Sequence, residues 1–195
     1  NSERLRAVAI GVSTGGPGAL IEVLRGLPHR FPLPILLVIH VGKLFTPAFA
    51  EWLDGQSAIR VGYAVDGDPL PPCGEGCVLM APPDSHLLLC QGKLRLTQEP
   101  ERHSCRPSID VLFESFAHVF GAGGAGCLLT GMGKDGAAGL LAIRRAGGRT
   151  IAQDEATSVV FGMPREAILL GAAEQVLPLD QIAPRLGVLA SAPAG

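Results

Sequence analysis

The apolar residues of the chain form short continuous runs that end at a glycine or a polar residue. The segment RLRAVAIG at 4–11 predicts a buried strand that ends at a glycine turn, and LPILLVIHV at 33–41 is a continuous apolar run, as is typical of strands buried on both faces of a parallel sheet. Between them, residues 17–28 carry apolar side chains at helical spacing (Ala19, Leu20, Val23, Leu24 and Leu27). This order of strand, glycine turn, helix and strand predicts consecutive βα units.

The middle of the chain has a different pattern. Short alternating segments fill residues 59–100, and HLLLCQGKLRLTQ predicts an antiparallel hairpin that turns at Gly92. Afterwards the pattern predicts helices near 108–120, 135–148 and 164–171, and strands near 125–131 and 149–153. We therefore predict an α/β fold with a doubly wound, mostly parallel sheet, helices on both faces and an antiparallel hairpin insertion, in one domain over residues 1–195.

Composition and charge argue against several classes of protein. The 195 residues include 16 Lys and Arg and 18 Asp and Glu, a net charge of −2, with no basic stripe that would bind nucleic acid. The longest apolar runs are shorter than the roughly 20 residues of a membrane-spanning helix, and no signal peptide opens the sequence. We expect a cytoplasmic protein with no nucleic-acid partner and no membrane insertion.

The five cysteines form an odd set without paired C-x-x-C spacing. That spacing supports neither a disulfide framework nor a zinc site. The nearest approach to a metal-ligand pattern is Cys73 and Cys77 with His103 and Cys105 downstream, and buried or loop thiols explain the same residues. We expect no metal and no organic cofactor.

Ser13 lies in Gly11-Val12-Ser13-Thr14-Gly15, a G-x-S-x-G sequence between a predicted strand and a predicted helix. In that context the motif raises a serine hydroxyl above the sheet edge, beside the first amides of the helix, here those of Thr14 and Gly15. Two other interpretations stay open: Ser13 caps the helix, or the glycine-rich turn binds a phosphate. The segment lacks G-x-G-x-x-G and a P-loop lysine, which argues against a nucleotide-binding module.

His40 and Asp135 complete a candidate triad. His40 is the lone polar side chain in ILLVIHVG, and Asp135 lies in TGMGKDGAAG, where a strand ends and a helix begins. The alternatives are a buried structural histidine and a helix N-cap. Because parallel strands end side by side at one edge of a sheet, we expect Ser13, His40 and Asp135 to meet there as nucleophile, general base and orienting carboxylate. The amides of Met132 and Gly133 are further candidate oxyanion donors.

The chain order Ser, His, Asp differs from the Ser, Asp, His order of α/β-hydrolases and from the orders of the chymotrypsin and subtilisin triads. A standard lipase or esterase fold is therefore disfavoured. Since the same triad occurs on unrelated scaffolds, the sequence predicts a serine hydrolase of a different kind.

Six segments, running nearly end to end, carry a recognisable pattern: VAIGVSTGG, IHV followed by FTPAFAEWL, APPDSH, CRPSIDVLFESFA, LLTGMGKDGAAG and IAQDEATSVVFGMPREAI. They resemble the CheB-type protein-glutamate methylesterases of bacterial chemotaxis, and LLTGMGKDGAAG and VFGMPREAI are the most specific. The resemblance implies a parallel doubly wound sheet with an antiparallel hairpin. It also implies hydrolysis of γ-glutamyl methyl esters on the cytoplasmic helices of chemoreceptors, with release of methanol, and in some members deamidation of receptor glutamines.

Carried over to the matching positions, the resemblance implies that Ser13 is the nucleophile, His40 the general base and Asp135 its orienting partner. Thr14 and Met132 would lie beside the reacting ester. His86, in APPDSH, matches a family histidine to which we assign no role from the sequence.

Two features depart from the family pattern. The family usually shows Gln-His-Met-Pro around the base, whereas this chain has Ile39-His40-Val41-Gly42, which keeps the histidine and changes the side chains that flank the pocket. Such enzymes also commonly carry an N-terminal phospho-receiver domain, and nothing in residues 1–195 resembles one, so an upstream receiver domain is a candidate partner. The alternative function is a non-catalytic module that only docks on receptor helices.

Overall fold

The computed structural model describes residues 4–42 and 46–191, except for the side chains of residues 46 and 47. This part of the chain contains nine strands: β1 (Ala7–Val12), β2 (Ile35–Ile39), β3 (Arg60–Tyr63), β4 (Cys77–Met80), β5 (His86–Cys90), β6 (Lys93–Thr97), β7 (Gly124–Leu128), β8 (Arg149–Gln153) and β9 (Gln175–Leu177). Seven of them form one sheet in the order β3-β4-β2-β1-β7-β8-β9, and every neighbouring pair is parallel. The strands β5 and β6 form a separate antiparallel pair.

Helices cover both faces of the large sheet. Those in the described residues are α1 (Gly16–Gly26), α2 (Thr46–Gln56), α3 (Ile109–Phe120), α4 (Ala137–Arg145), α5 (Met163–Leu169) and α6 (Leu179–Ser191). Apolar side chains of α1, α2 and α6 form one buried cluster with the sheet, and those of α3, α4 and α5 form a second. The predicted doubly wound α/β fold is confirmed.

The central strand β1 explains why the apolar runs lack alternation. Val8, Ile10 and Val12 lie in the cluster on the α1 side, whereas Ala7 and Ala9 lie in the cluster on the α3 side. A strand that packs on both faces needs apolar residues at every position. The helix after β1 covers one face and the helix after β7 covers the other, so the crevice at the carboxyl ends of these strands is a topological switch point.

The predicted hairpin is also confirmed, with its turn where the sequence indicated it. Gln91 and Gly92 both have positive φ angles, 52° and 74°, as in the two-residue turns that match the twist of antiparallel strands. The hairpin packs on α3, where the Leu89 N–H donates a hydrogen bond of 3.1 Å to Ser115 Oγ.

Some elements were not predicted. The sequence patterns did not identify β9 and α6, and they did not indicate that β3 and β4 join the large sheet as parallel strands. These strands are only three or four residues long, too short for a distinct pattern. None of the helices in the described ranges is long and apolar enough to cross a bilayer.

Candidate active site

Ser13 and His40 follow directly after the two central strands. Val12 at the end of β1 is paired with Ile39 at the end of β2, so Ser13 and His40 are the next residues on neighbouring parallel strands. The His40 N–H donates to the Val12 carbonyl oxygen at 3.0 Å and holds the two strand ends together. Because neighbouring strands lie about 4.8 Å apart, the two side chains start from adjacent backbone positions.

Strand alternation accounts for the face on which these side chains lie. Val12 and Ile39 belong to the apolar cluster beneath α1, α2 and α6. In an extended chain the following residue points to the opposite face, here the face covered by α3 and α4. Both polar side chains therefore leave the core at the carboxyl edge of the sheet, on the side where Asp135 is found.

Asp135 lies in the loop between β7 and α4, but its carboxylate is directed at the amino terminus of α3. Oδ1 accepts hydrogen bonds from Ser108 Oγ at 2.8 Å and the Asp110 N–H at 3.0 Å, and Oδ2 accepts one from the Ile109 N–H at 2.7 Å. Amides in the first turn of a helix favour a negative charge. The alternative interpretation of Asp135 as the N-cap of its own helix is wrong, because Gly136 occupies that position.

The imidazole of His40 meets this carboxylate through Nε2, which lies 3.0 Å from Asp135 Oδ2. The ring N–H is not aligned with that oxygen, and Nε2 has no other hydrogen-bond partner among the described residues. An imidazole held through Nε2 leaves its other ring nitrogen, Nδ1, to face the Cys105 thiol, whose Sγ lies 3.8 Å away.

The surroundings of Asp135 lower the pKa of its carboxyl group below the ordinary value of 3.8. Burial alone raises this pKa, but hydrogen bonds from His40, from the two first-turn amides of α3 and from the Ser108 hydroxyl lower it by more. Asp135 is only 2% exposed, so it is an ionised carboxylate in a buried position. Such a group is suited to orient an imidazole and stabilise its charge.

Two residues without a role in the sequence analysis hold Asp135 in place. His86 is buried, its Nδ1 accepts a hydrogen bond of 3.1 Å from the Ser108 N–H, and its Nε2 donates to the Pro100 carbonyl oxygen at 3.2 Å. Ser108 is the N-cap of α3 and accepts from the Val111 N–H at 3.4 Å while it donates to Asp135. A serine before an apolar helical run is an N-cap signal, but its contact with Asp135 has no local signal.

A second buried carboxylate, Asp110, makes the reciprocal contact with α4. Its Oδ1 accepts a hydrogen bond of 2.6 Å from the Gly139 N–H in the first turn of α4, and its Oδ2 lies 3.0 Å from His103 Nε2. Burial raises the pKa of Asp110, and the charge of Asp135 adds to the rise against the lowering effect of the Gly139 amide. The first-turn amides of α3 thus bind Asp135 from the loop before α4, and a first-turn amide of α4 binds Asp110 from α3.

Two backbone turns near Ser13 present amides without partners. The N–H groups of Thr14 and Gly15 after β1, and of Met132 and Gly133 after β7, donate no hydrogen bond to any other residue in the described ranges. Gly15 and Gly133 have φ angles of 82° and 90°, a conformation that favours glycine. Free amides beside a nucleophile are the donors that an oxyanion requires.

Thr130 ties these two turns together. The Ser13 N–H donates to the Thr130 carbonyl oxygen at 3.0 Å, and Thr130 Oγ1 donates to the Thr14 carbonyl oxygen at 2.9 Å. Gln153 Oε1 in turn accepts from the Thr130 N–H at 2.8 Å. At Gly131 a Cβ atom would lie 2.7 Å from Ser13 Cβ. The position of Ser13 therefore depends on β7 and β8 as well as on its own turn.

Residues 8–186 match the family model described as CheB methylesterase. The chain belongs to the CheB methylesterase family. It is 51% identical over 179 residues to a protein-glutamate methylesterase/protein-glutamine glutaminase of Anaeromyxobacter dehalogenans, which covers 92% of this chain and 52% of that protein. It is 50% identical over 176 residues to the protein-glutamate methylesterase FrzG of Myxococcus xanthus, which covers 90% and 52%. The chain thus spans about half the length of the curated relatives it matches.

Comparison with solved structures supports the same family assignment. The crystal structure of the Thermotoga maritima CheB methylesterase catalytic domain matches with a TM-score of 0.88 and 37% sequence identity, over 96% of this chain and 100% of that one. The resemblance to CheB-type enzymes that the sequence motifs indicated is confirmed.

Where this chain departs from the usual CheB pattern, the wall beside the candidate site is apolar. Val41 and Gly42 follow His40 and line, with Phe49 and Trp52, a groove of about 480 Å³. Trp52 is 43% exposed. The departure therefore changes the surface next to the candidate triad and leaves the contacts of His40 with Val12 and Asp135 in place.

Cys105 opens the segment CRPSIDVLFESFA, and its thiol was assigned no role in the candidate triad from the sequence. Its Sγ lies 3.8 Å from His40 Nδ1. Burial raises the pKa of the Cys105 thiol to about 11, and the charges of Asp135 and Glu101 contribute to the rise. The thiol is protonated at neutral pH and is therefore a poor rival to Ser13 as a nucleophile.

In the sequence, the nearest approach to a metal-ligand pattern is Cys73 and Cys77 with His103 and Cys105, and the structure does not bring these residues together. Cys77 begins β4 and lies at the amino edge of the sheet, whereas Cys105 contacts His40 at the carboxyl edge. Within the described ranges, potential ligand atoms cluster in two other sets: His40 with Cys105 and Asp135, and His103 with Asp110 and Asp135.

Proposed function

We propose that this CheB-family chain is a serine hydrolase that removes methyl esters from glutamate side chains of chemoreceptors. The reaction converts a protein glutamate methyl ester and water into glutamate and methanol. The observation that carries the proposal is that Ser13 and His40 follow paired strand ends while Asp135 contacts His40 Nε2 at 3.0 Å. The names of the curated relatives, protein-glutamate methylesterase and protein-glutamine glutaminase, support the same substrate class.

In the first half of the proposed reaction, Ser13 Oγ attacks the ester carbonyl carbon and its proton passes to His40 Nδ1. Asp135 holds the tautomer that leaves Nδ1 unprotonated, and it stabilises the imidazolium that forms. The tetrahedral intermediate then expels the methoxy group, which takes the proton from His40 and leaves as methanol. An ester between Ser13 and the glutamyl acyl group remains.

The negative charge of the tetrahedral intermediate falls on the former carbonyl oxygen. We assign its stabilisation to the free amides of Thr14 and Met132, with those of Gly15 and Gly133 next to them. In a protease, removal of one such donor costs about 10²–10³-fold in kcat.

In the second half, water attacks the acyl-enzyme and transfers a proton to His40, which returns it to Ser13 Oγ as the glutamate carboxylate leaves. A glutamine side chain follows the same route, with ammonia as the leaving group in place of methanol. The proposed enzyme therefore includes a protein-glutamine glutaminase activity.

The partners under this proposal are the cytoplasmic helices of methyl-accepting chemoreceptors. Met132 is 74% exposed and Val159, which lies against Gly15, is 71% exposed, so apolar surface is available beside Ser13 for a receptor helix. We propose that residues 1–195 form the catalytic domain, that it acts in the cytoplasm, and that a phospho-receiver domain is the partner encoded upstream. The additional length of the curated relatives is consistent with such a domain.

The test is methanol release from methylated cytoplasmic fragments of several chemoreceptors. We expect release by the wild type and a fall of about 10⁶-fold in kcat for Ser13→Ala, on the precedent of protease nucleophiles. Ser191→Ala is the matched control, because Ser191 is the exposed last residue of α6 and its hydroxyl donates to the Gly187 carbonyl oxygen of the same helix. A fluorophosphonate probe should label the wild type and Ser191→Ala, but not Ser13→Ala.

Ser13→Ala with near-wild-type hydrolysis would overturn the assignment of the nucleophile. A folded wild type that binds receptor fragments, releases no methanol and takes up no fluorophosphonate would instead support the docking module.

A further inference from the structure

A thiol and an imidazole lie next to one another at the mouth of the candidate site. Cys105 Sγ is 3.8 Å from His40 Nδ1. Cys105 is half-buried and lines two clefts that open to solvent, one shared with His40 and Arg106 and one shared with Met132 and Lys134. The proposed acyl-transfer chemistry does not use the thiol, so its position beside the base needs a separate account.

The backbone holds Cys105 in this position. Cys105 and Arg102 exchange backbone hydrogen bonds of 2.9 and 3.1 Å across a two-residue turn. The turn residues His103 and Ser104 have φ angles of 53° and 58°, which is uncommon for residues other than glycine. The Cys105 side chain thus starts from a tight, hydrogen-bonded turn.

The separation of the two groups matches that of metal ligands. Zinc binds imidazole nitrogen at about 2.0–2.1 Å and thiolate sulfur at about 2.3 Å, so tetrahedral ligands of these types lie about 3.6 Å apart. The observed separation is 3.8 Å. Metal-binding histidines almost always donate their other ring N–H to a carboxylate or carbonyl, and Asp135 stands at His40 Nε2 in that position.

We propose that His40 Nδ1 and Cys105 Sγ bind a soft divalent cation, Zn²⁺ above all, with Asp135 orienting the histidine and water in the remaining positions. On binding, the thiol proton is released to solvent as the metal–sulfur bond forms. The cation occupies the lone pair that the general base needs, so it is an exchangeable inhibitor and not a resident cofactor.

The neighbouring cluster is a poorer site. The cluster of His103, Asp110 and Asp135 contains no sulfur ligand. Hydrogen bonds within the protein do not distinguish the two sites, because Cys105 Sγ also donates to the His103 carbonyl oxygen at 3.3 Å. The His40–Cys105 pair offers one nitrogen and one sulfur, which are the ligand atoms that zinc prefers.

The experiment uses Co²⁺ as a spectroscopic substitute for Zn²⁺. We expect the wild type to bind one Co²⁺ with a thiolate-to-cobalt charge-transfer absorption, and Zn²⁺ to displace it. Cys105→Ser, which conserves side-chain volume, should lose the charge-transfer absorption, and Cys105→Ser and His40→Ala should each weaken Zn²⁺ binding at least 10–100-fold, the loss typical of an altered metal site. Cys90→Ser, at the exposed end of β5, should behave like the wild type.

The outcome is measured independently of activity. A wild type without a thiolate band, or a folded Cys105→Ser variant with wild-type affinity for Zn²⁺, would overturn the proposal. Only the inhibition itself rests on the proposed function: Zn²⁺ should abolish methanol release, and a chelator should restore it. If the domain releases no methanol, the cobalt titration still decides whether the site exists.

Discussion

Replacement of Asp135 by asparagine perturbs both the candidate site and the helix beside it. The carboxylate accepts three hydrogen bonds within 3.0 Å, from the Ser108 hydroxyl and the N–H groups of Ile109 and Asp110, and His40 Nε2 lies 3.0 Å from its Oδ2. Asparagine has nearly the same shape, but it offers one oxygen acceptor and introduces an NH₂ group. Whichever way the amide turns, its NH₂ group faces a backbone N–H of α3.

The larger effect is expected on kcat. With the amide oxygen in the Oδ1 position, the NH₂ group faces His40 Nε2, so the imidazole proton moves to Nδ1 and the base is occupied. With the oxygen in the Oδ2 position, the tautomer is kept, but the charge that stabilises the imidazolium is lost. A protease with the same change loses about 10⁴-fold in kcat, and we expect about 10³–10⁴-fold here. At 1.36 kcal/mol for each factor of ten, this is about 4–5.5 kcal/mol of activation free energy.

The free energy of unfolding should fall as well. One backbone N–H is left buried without an acceptor, which costs about 1–3 kcal/mol. The negative charge at the amino terminus of α3 is also removed, which costs about 0.3–1 kcal/mol. We expect Asp135→Asn to be about 1–4 kcal/mol less stable at pH 7 and still folded.

The assay is methanol release under saturating substrate, combined with urea unfolding of the same samples. The matched control is Asp180→Asn, because Asp180 is an exposed acidic residue in the first turn of α6. It should keep wild-type kcat and lower the free energy of unfolding by no more than about 1 kcal/mol, because it removes a first-turn charge and no buried hydrogen bond. A folded Asp135→Asn variant with kcat within tenfold of the wild type would refute the role assigned to the carboxylate.

Gly131→Ala brings a methyl group within 2.7 Å of Ser13 Cβ and should lower kcat for methanol release about 100-fold. Its control is Gly18→Ala in α1, where the added methyl group meets open space. This control should keep full activity and raise the free energy of unfolding measured in urea by about 0.4–1 kcal/mol. Since folding lowers the pKa of Asp135 below 3.8, the stability it provides is complete above about pH 4 and is lost as the pH falls through the folded value. Urea midpoints below pH 4 should therefore fall more steeply for the wild type than for Asp135→Asn, and equal slopes would contradict this. Ser108→Ala removes an N-cap and a buried donor and should cost about 1–2 kcal/mol in urea unfolding, with a smaller loss of kcat than Asp135→Asn; an unchanged urea midpoint would contradict the cap.

The positions of Ser13 and His40 were predictable because they depend on short-range rules. Each follows a fully apolar run, and such a run ends where a buried strand reaches the sheet edge. Alternation then indicates the side: Val12 and Ile39 pack on one face, so the next residue of each strand points to the other. Strand ends and a period of two are enough to place a serine and a histidine after paired residues at the same edge and on the same face of the sheet.

The partner of His40 was identified by its position in the chain and by resemblance, but its surroundings were not predictable. The local sequence around Asp135 indicates an N-cap for α4, and the structure directs the carboxylate to α3, about 25 residues earlier in the chain. The contact of His86 with Ser108 spans 22 residues, and that of Gln153 with Thr130 spans 23. Contacts of this kind depend on how helices and strands pack, for which a single sequence carries no periodic signal.

The exchange of carboxylates between α3 and α4 links the candidate site to the core. Asp135, next to α4, accepts the first-turn amides of α3, and Asp110, in α3, accepts the Gly139 amide of α4. Each charge is stabilised by the amino terminus of the other helix, so the two helices must pack together before either carboxylate is satisfied. His40 is therefore oriented by a group whose position is set by helix packing. Substitutions in the α3–α4 interface should therefore lower the rate of the proposed hydrolysis by displacing Asp135, although the substituted residues contact no reacting atom.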